Sequence, residues 1–203
     1  MRLYYAPTSP YVRKVVVLLK ETGQFDEVEL VTAGGTPLDP GANPLQLNPI
    51  GKIPTLERAA GPALYDSRVI CRFFDDRVQA GLYGTAARQW ELLTLEATAD
   101  GMMDAAILGV YESRLRPEDM RYQPWVDAQW SKIAQSLDAL ETRWMSHLSG
   151  PLNIGHIAVG CALGYLDLRF PDREWRKGHD ALAAWYESFA ERDSMVSTVP
   201  PAQ

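Results

Sequence analysis

Ser9 and Pro10 stand between an apolar tetrapeptide and a long apolar run, and Arg13 and Lys14 follow close behind. A serine or threonine before a helix accepts hydrogen bonds from its first amides, and proline suits the first helical position. The pair therefore predicts a helix start, with Ser9 or Thr8 as the cap. Arg13 and Lys14 then fall within the first turn or so, where cations oppose the helix dipole at about 0.3–1 kcal/mol each. Two readings of that conflict stand side by side. An anion held at the helix start would gain from the free amides, the dipole and the cations together. Alternatively, both side chains lean away into solvent, and Ser9 is a cap and nothing more.

A second concentration of polar and backbone-shaping residues lies at Asn48-Pro-Ile-Gly-Lys-Ile-Pro54 and Tyr65-Asp-Ser-Arg68. Proline donates no ladder hydrogen bond, so Pro54 belongs at a strand start or a bend. An X-Pro bond in a tight turn is also where a cis peptide is affordable. Such a bond turns the Ile53 carbonyl and amide outward, free to pair with an extended ligand. Asp66 and Ser67 precede a helical pattern and either cap it or meet a ligand. Ser67 and its amide suit a carboxylate, Asp66 suits a neighbouring ammonium, and together they recognise an amino-acid head group. Lys52 supplies a cation for a second carboxylate. A peptide-like ligand satisfies all of these groups at once.

Composition narrows the function classes. The chain has 203 residues, 46% of them apolar, and a net charge of 20 − 26 = −6. An acidic balance argues against a nucleic-acid binder. The N-terminus lacks the apolar core of a signal peptide, and no run is long enough to cross a bilayer, so a cytoplasmic protein without a membrane partner is expected. Cys71 and Cys161 are far apart, and no cysteine–histidine spacing suits a metal. Both cysteines read as small buried hydrophobes in a reducing compartment.

These residues need elements to hold them. Residues 2–5 read as a strand, 10–22 as a helix stopped by Gly23, and 28–31 as a second strand. Residues 33–51, rich in glycine, proline and asparagine, read as a loop. Short strands at 54–57 and 63–65 lead to a helix over 67–77. The order predicts a small sheet with both parallel and antiparallel pairs. Beyond a linker at 80–86 the pattern is helical throughout: 87–114, a helix from Pro117 to about His147, one capped by Asn153 over 154–170, and a last one over 179–191. The tail after it reads as loose. The expected organisation is an α/β domain over 1–79 and an all-α domain over 87–203.

The run Leu3-Tyr-Tyr-Ala-Pro-Thr-Ser-Pro-Tyr-Val-Arg-Lys-Val, the Asn48–Leu56 stretch and Tyr65-Asp-Ser-Arg-Val-Ile resemble the glutathione S-transferase family. The helical half agrees at Leu163-Gly-Tyr-Leu-Asp-Leu-Arg-Phe and at Trp175–Tyr186, which are similar to bacterial, serine-type members. The resemblance covers nearly the whole chain. It implies a thioredoxin-like N-terminal domain, an all-helical C-terminal domain and a homodimer.

By position, the resemblance has Ile53, next to Pro54, pair its backbone with the cysteinyl part of glutathione. It assigns Asp66 and Ser67 to the γ-glutamyl end and Lys52 to a polar contact. Ser9 falls at or beside the position whose hydroxyl faces the glutathione sulfur, with Thr8 as its rival. The implied reaction is attack of the glutathione thiolate on a hydrophobic electrophile, in an apolar pocket with Tyr11, Met103, Leu108 and Tyr111 as candidate walls. Glutathione is then a co-substrate, with no metal. A non-catalytic binding module is the alternative, as are glutathione-dependent peroxidase, dehalogenase or isomerase activities. One departure stands out. The family's internal helix opens with serine or threonine and an aspartate three residues on, where this chain has Asn153 and His156.

Overall fold

A computed structural model describes residues 1–201, which divide into two compact units: Met1–Thr85 together with the segment beginning at Asp193, and Ala86–Arg192. The boundary falls at the end of the stretch that reads as a linker. The C-terminal segment, which sequence alone leaves loose in the helical domain, belongs with the first unit.

In the first unit β1 (Arg2–Tyr5) lies between β2 (Glu29–Thr32) and β3 (Thr55–Glu57). β1 runs parallel to β2, with Leu3 opposite Leu30, and antiparallel to β3, with Leu3 opposite Leu56. The expected strand at 63–65 reduces to a single bridge, in which Leu56 and Leu64 exchange both backbone hydrogen bonds at 2.9 Å. Helix α1 (Pro10–Glu21) begins as its capping residues dictate, and its chain reverses through Thr22 and Gly23, the latter at φ +67°. Helix α2 (Ser67–Val78) is capped by Asp66 and packs on α1. Leu3, Val15, Leu18, Leu19, Leu56, Ile70 and Phe74 are wholly enclosed and form the core that binds sheet to helices.

The second unit is helical. α3 (Gln89–Leu115) packs against both α4 (Gln123–Ala139) and α6 (Ile154–Arg169), and α5 (Met145–Leu148) and α7 (Asp180–Ala190) complete it. Residues 154–166 of α6 are all buried, which accounts for a segment that is apolar on every face. A Cβ at Gly155 would meet Leu95 Cδ2 at 2.5 Å, so glycine is what lets α6 approach α3. Two boundaries differ from expectation. Pro117 opens only a 3₁₀ turn at Glu118–Met120, and α4 starts at Gln123 with Pro124 in its first turn. Between α4 and α5 the chain makes a π turn at Leu140–Trp144. That turn aims Glu141 at the start of α7, where its carboxylate accepts from the amides of Ala181 (3.1 Å) and Leu182 (2.8 Å).

The last helix, α8 (Asp193–Val196), packs on α1. Arg13 reaches it, donating from one terminal nitrogen to the Met195 carbonyl (3.0 Å) and from Nε to Thr198 Oγ1 (3.3 Å). Ser194 bonds the Glu21 carboxylate at the other end of α1.

Candidate functional site

Strand register decides which sequence-distant residues become neighbours. Tyr4 lies opposite Thr55, so the end of β1 that leads into Thr8 and Ser9 is the same end at which Ile53-Pro54 enters β3. Leu56 faces Leu64 in antiparallel sense, so Tyr65 and Asp66 run back toward Pro54 on the far side of β3. Adjacent strands are about 4.8 Å apart. The start of α1, the Ile53-Pro54 turn and the start of α2 therefore share one end of the sheet.

Ser9 is the N-cap of α1, its Oγ accepting from the Val12 amide at 3.4 Å. A hydroxyl has two acceptor lone pairs and one donor, so capping leaves the Ser9 proton available for a second partner. Thr8 caps nothing and is half-buried. Arg13 and Lys14 are both enclosed, so neither leans into solvent. Arg13 is committed to the C-terminal segment and does not face an anion at the helix start.

The Ile53–Pro54 bond is cis. Among the described residues neither the amide nor the carbonyl of Ile53 has a protein partner. The turn leading to it is held from beneath by two buried side chains that sequence reasoning assigned no role. Asn48 donates to the Lys52 carbonyl (2.9 Å) and to Thr55 Oγ1 (3.1 Å), and accepts from the Ile50 amide (3.0 Å). Thr55 in turn donates to the Lys52 carbonyl at 2.9 Å. The signal was present in the Asn48-to-Thr55 spacing, which can close a side-chain-to-backbone ring. The Lys52 side chain itself is exposed.

Asp66 combines both of the roles open to it. It caps α2 through the Arg68 amide (3.0 Å) and also pairs with the Arg68 guanidinium (2.8 Å). Burial on its own would raise this carboxyl. Hydrogen bonds from the Arg68 side chain and amide, with the Arg68 and Lys14 charges, outweigh it and hold the group below the usual carboxylate range. Ser67 is buried, and its hydroxyl takes no partner among the described residues. Arg68, in the quoted motif but given no role, is the added member of the site.

The candidate electrophile walls are less uniform. Tyr11 is half-buried in the first unit, while Met103, Leu108 and Tyr111 lie on α3 in the second. Met103 is enclosed and Leu108 is 42% exposed. At about 100° per residue, five positions turn these two roughly 140° apart around the helix, so α3 does not present all three as one surface.

Residues 8–77 match the family model for the glutathione S-transferase N-terminal domain, and residues 123–188 match the model for its C-terminal domain. The chain belongs to the glutathione S-transferase family. A family member from Pseudomonas fluorescens Pf-5, solved with bound glutathione, is 45% identical with a TM-score of 0.96, covering 99% of each chain. The same organism's family member solved with bound S-(propanoic acid)-glutathione is 44% identical with a TM-score of 0.91, over 100% of each chain. The uncharacterized GST-like protein YibF of Escherichia coli K12 is 31% identical over 205 residues, 99% of each chain. The mixed sheet unit and helical unit agree with the fold of this family.

This glutathione S-transferase family member opens its internal helix with Asn153 and His156, without the aspartate expected at the latter position. Asn153 still caps α6, accepting from the amides of Gly155 (2.9 Å) and His156 (3.4 Å). His156 turns the other way: its Nε2 lies 3.0 Å from the Leu148 carbonyl at the end of α5, and its ring packs near Trp185 and Phe189. Burial pushes its pKa down, against the Leu148 and Gly150 carbonyls, which favour the charged ring, and with the Arg192 charge. The histidine thus joins two helices where an aspartate would close one. Cys71 and Cys161 are buried and in no disulfide, and no helix among the described residues is long and apolar enough to cross a membrane.

Proposed function

We propose that the protein is a glutathione transferase that binds glutathione at this end of the sheet and activates its sulfur through Ser9. The observation that carries this reading is the unpaired Ile53 backbone, lying at the same sheet end as the starts of two helices. The extended cysteinyl backbone of glutathione supplies the amide and carbonyl that Ile53 lacks. Its γ-glutamyl carboxylate meets the Ser67 hydroxyl and amide. Its ammonium takes the part of the Asp66 carboxylate that Arg68 leaves over, because a carboxylate accepts about four hydrogen bonds. Lys52 reaches the glycyl carboxylate.

A free thiol titrates near pKa ~8.5, and each unit of lowering needs about 1.4 kcal/mol of preference for the thiolate. One hydrogen bond to a charged acceptor contributes about 1.5–3 kcal/mol, enough for one or two units. Ser9 keeps its own proton and donates it to the sulfur, while its lone pair continues to cap α1. The Pseudomonas fluorescens neighbour was solved with bound S-(propanoic acid)-glutathione, and attack of the sulfur on a hydrophobic electrophile is the reaction proposed for this chain. Tyr11, Met103, Leu108 and Tyr111 are the candidate contacts for that electrophile, and a homodimer is the expected assembly.

Turnover of chlorodinitrobenzene with glutathione, beside calorimetry of glutathione binding, tests the assignment. Ser9→Ala lowers turnover about tenfold or more while leaving affinity within a few-fold, the loss of one charge-assisted hydrogen bond. Intact turnover in Ser9→Ala with its abolition in Thr8→Ala would transfer the role to Thr8. Absence of glutathione binding at millimolar concentration would remove the reading.

A further inference from the structure

In the loop before β3 the backbone polar groups are taken up one after another by groups of the same loop. The Ile50 amide donates to Asn48 Oδ1 (3.0 Å), and the Gly51 amide donates to the Asn48 carbonyl (3.0 Å). The Gly51 carbonyl accepts from Asn43 Nδ2 at 2.7 Å. The Lys52 carbonyl accepts twice, from Asn48 Nδ2 and from Thr55 Oγ1, both at 2.9 Å. The series stops at Ile53, whose amide and carbonyl have no protein partner among the described residues.

Apolar packing does not account for that shape. Ile50 is 63% exposed, and Lys52 is exposed as well. The enclosed members are Asn48 and Thr55, which also bond each other at 3.1 Å. A side-chain amide accepts at one end and donates at the other, so Asn48 alone can hold the Ile50 amide and the Lys52 carbonyl on the two sides of the turn. Thr55 opens β3 and lies opposite Tyr4 on β1, so the hold passes from the loop into the sheet.

We propose that Asn48 is a positioning residue for glutathione, fixing the Ile53 amide and carbonyl before the ligand arrives, with Thr55 as its anchor. This rests on the transferase reading and adds a determinant of affinity to it. An ordered loop meets the cysteinyl backbone without losing further freedom. A loosened loop has to be ordered by the ligand, which weakens binding roughly tenfold for each residue fixed. Ser9 caps α1, and none of the loop's bonds reaches it. The two roles therefore separate: Asn48 governs how tightly glutathione is held, and Ser9 how reactive its sulfur becomes.

Calorimetry of glutathione and steady-state turnover of chlorodinitrobenzene, both on the full chain, test this. Asn48→Ala raises Kd and KM for glutathione about tenfold or more, with kcat within about twofold of wild type and its pH dependence unmoved. Asn48→Asp keeps an acceptor for the Ile50 amide but turns a carboxylate toward the Lys52 carbonyl, so it binds no better than Asn48→Ala. Thr55→Ser keeps the hydroxyl and stays within a few-fold of wild type, whereas Thr55→Val loses it and binds about tenfold more weakly. A purely structural role lowers Tm without separating KM from kcat. The Thr55 pair decides the matter by itself where Asn48→Ala does not fold. Affinity within about twofold of wild type in Asn48→Ala, equal affinity of the two Thr55 variants, or a fall in kcat at unchanged KM overturns the proposal. In each of those results the wild type still binds glutathione, and the transferase reading stands. Failure of the wild type to bind it at millimolar concentration removes both.

Discussion

Replacing Arg13 by methionine separates two accounts of a cation in the first turn of α1 by the sign of the effect. Were Arg13 a surface charge opposing the helix dipole, its removal would stabilise the protein by about 0.3–1 kcal/mol. The structure predicts the opposite. The side chain is 7% exposed and donates to the Met195 carbonyl at 3.0 Å and to Thr198 Oγ1 at 3.3 Å. A hydrogen bond from a charged donor contributes about 1.5–3 kcal/mol, and the longer bond to Thr198 belongs at the low end. Methionine keeps the apolar stem, so the loss is mainly polar. Subtracting the dipole relief leaves a net loss of about 2–4 kcal/mol. For a chain of this size that is a fall of roughly 4–16 °C in Tm. Urea unfolding gives the free energy, and amide exchange at residues 193–199 locates it, because the segment should open ahead of the core. A variant as stable as wild type or more so, with exchange in that segment unchanged, refutes the reasoning.

Two further outcomes follow from the helical unit. His156 is buried with its folded pKa below the ordinary value, so it contributes stability that is complete above pH ~6.5 and is lost as pH falls toward the folded value. Urea midpoints taken between pH 8 and pH 5 should fall on the acid side for wild type, and the His156→Gln variant should lose that part of the slope. Gly155→Ala pushes a methyl to 2.5 Å from Leu95, which is itself wholly enclosed and has nowhere to retreat. Its cost is about 1–3 kcal/mol by denaturation, and Leu95→Ala in the same chain should recover part of it, giving a negative coupling in a double-mutant cycle.

What could be read along the chain was what the chain decides locally. Ser9-Pro10, Asp66 and Asn153 are caps whose partners lie within three residues, and the helices they open begin where the caps place them. β2 begins at Glu29 where residue 28 was expected, a shift within ordinary fraying of element ends. The 63–65 segment has strand-forming residues, but only Leu64 finds a partner across the sheet. Elements set by distant groups were not legible. The π turn at Leu140–Trp144 serves a carboxylate whose amide partners are 40 and 41 residues away. The C-terminal segment is held by an arginine more than 180 residues earlier. At the candidate site the same division holds. Ser9, Ile53, Pro54, Asp66 and Ser67 stand out by type and spacing. The support from Asn48 and Thr55, and the grip of Arg68 on Asp66, depend on how a loop closes.

The Arg13 clasp ties the order of synthesis to the completion of the first unit. Residues 1–85 leave the ribosome before residues 86–192, and domains generally fold in the order of their synthesis. Here α1 has α2 but lacks α8 until the whole helical unit, Ala86–Arg192, has been translated and Asp193–Val196 has followed. A nascent chain stalled inside the helical unit would carry Arg13 as an unmatched cation beside a helix start, facing an uncovered stretch of α1. Its candidate binding end would be assembled but less firmly seated. On the proposed reading, glutathione present during synthesis would bind that intermediate more weakly than the finished protein, so ligand affinity measured on stalled chains of increasing length should step upward when residues 195–198 emerge.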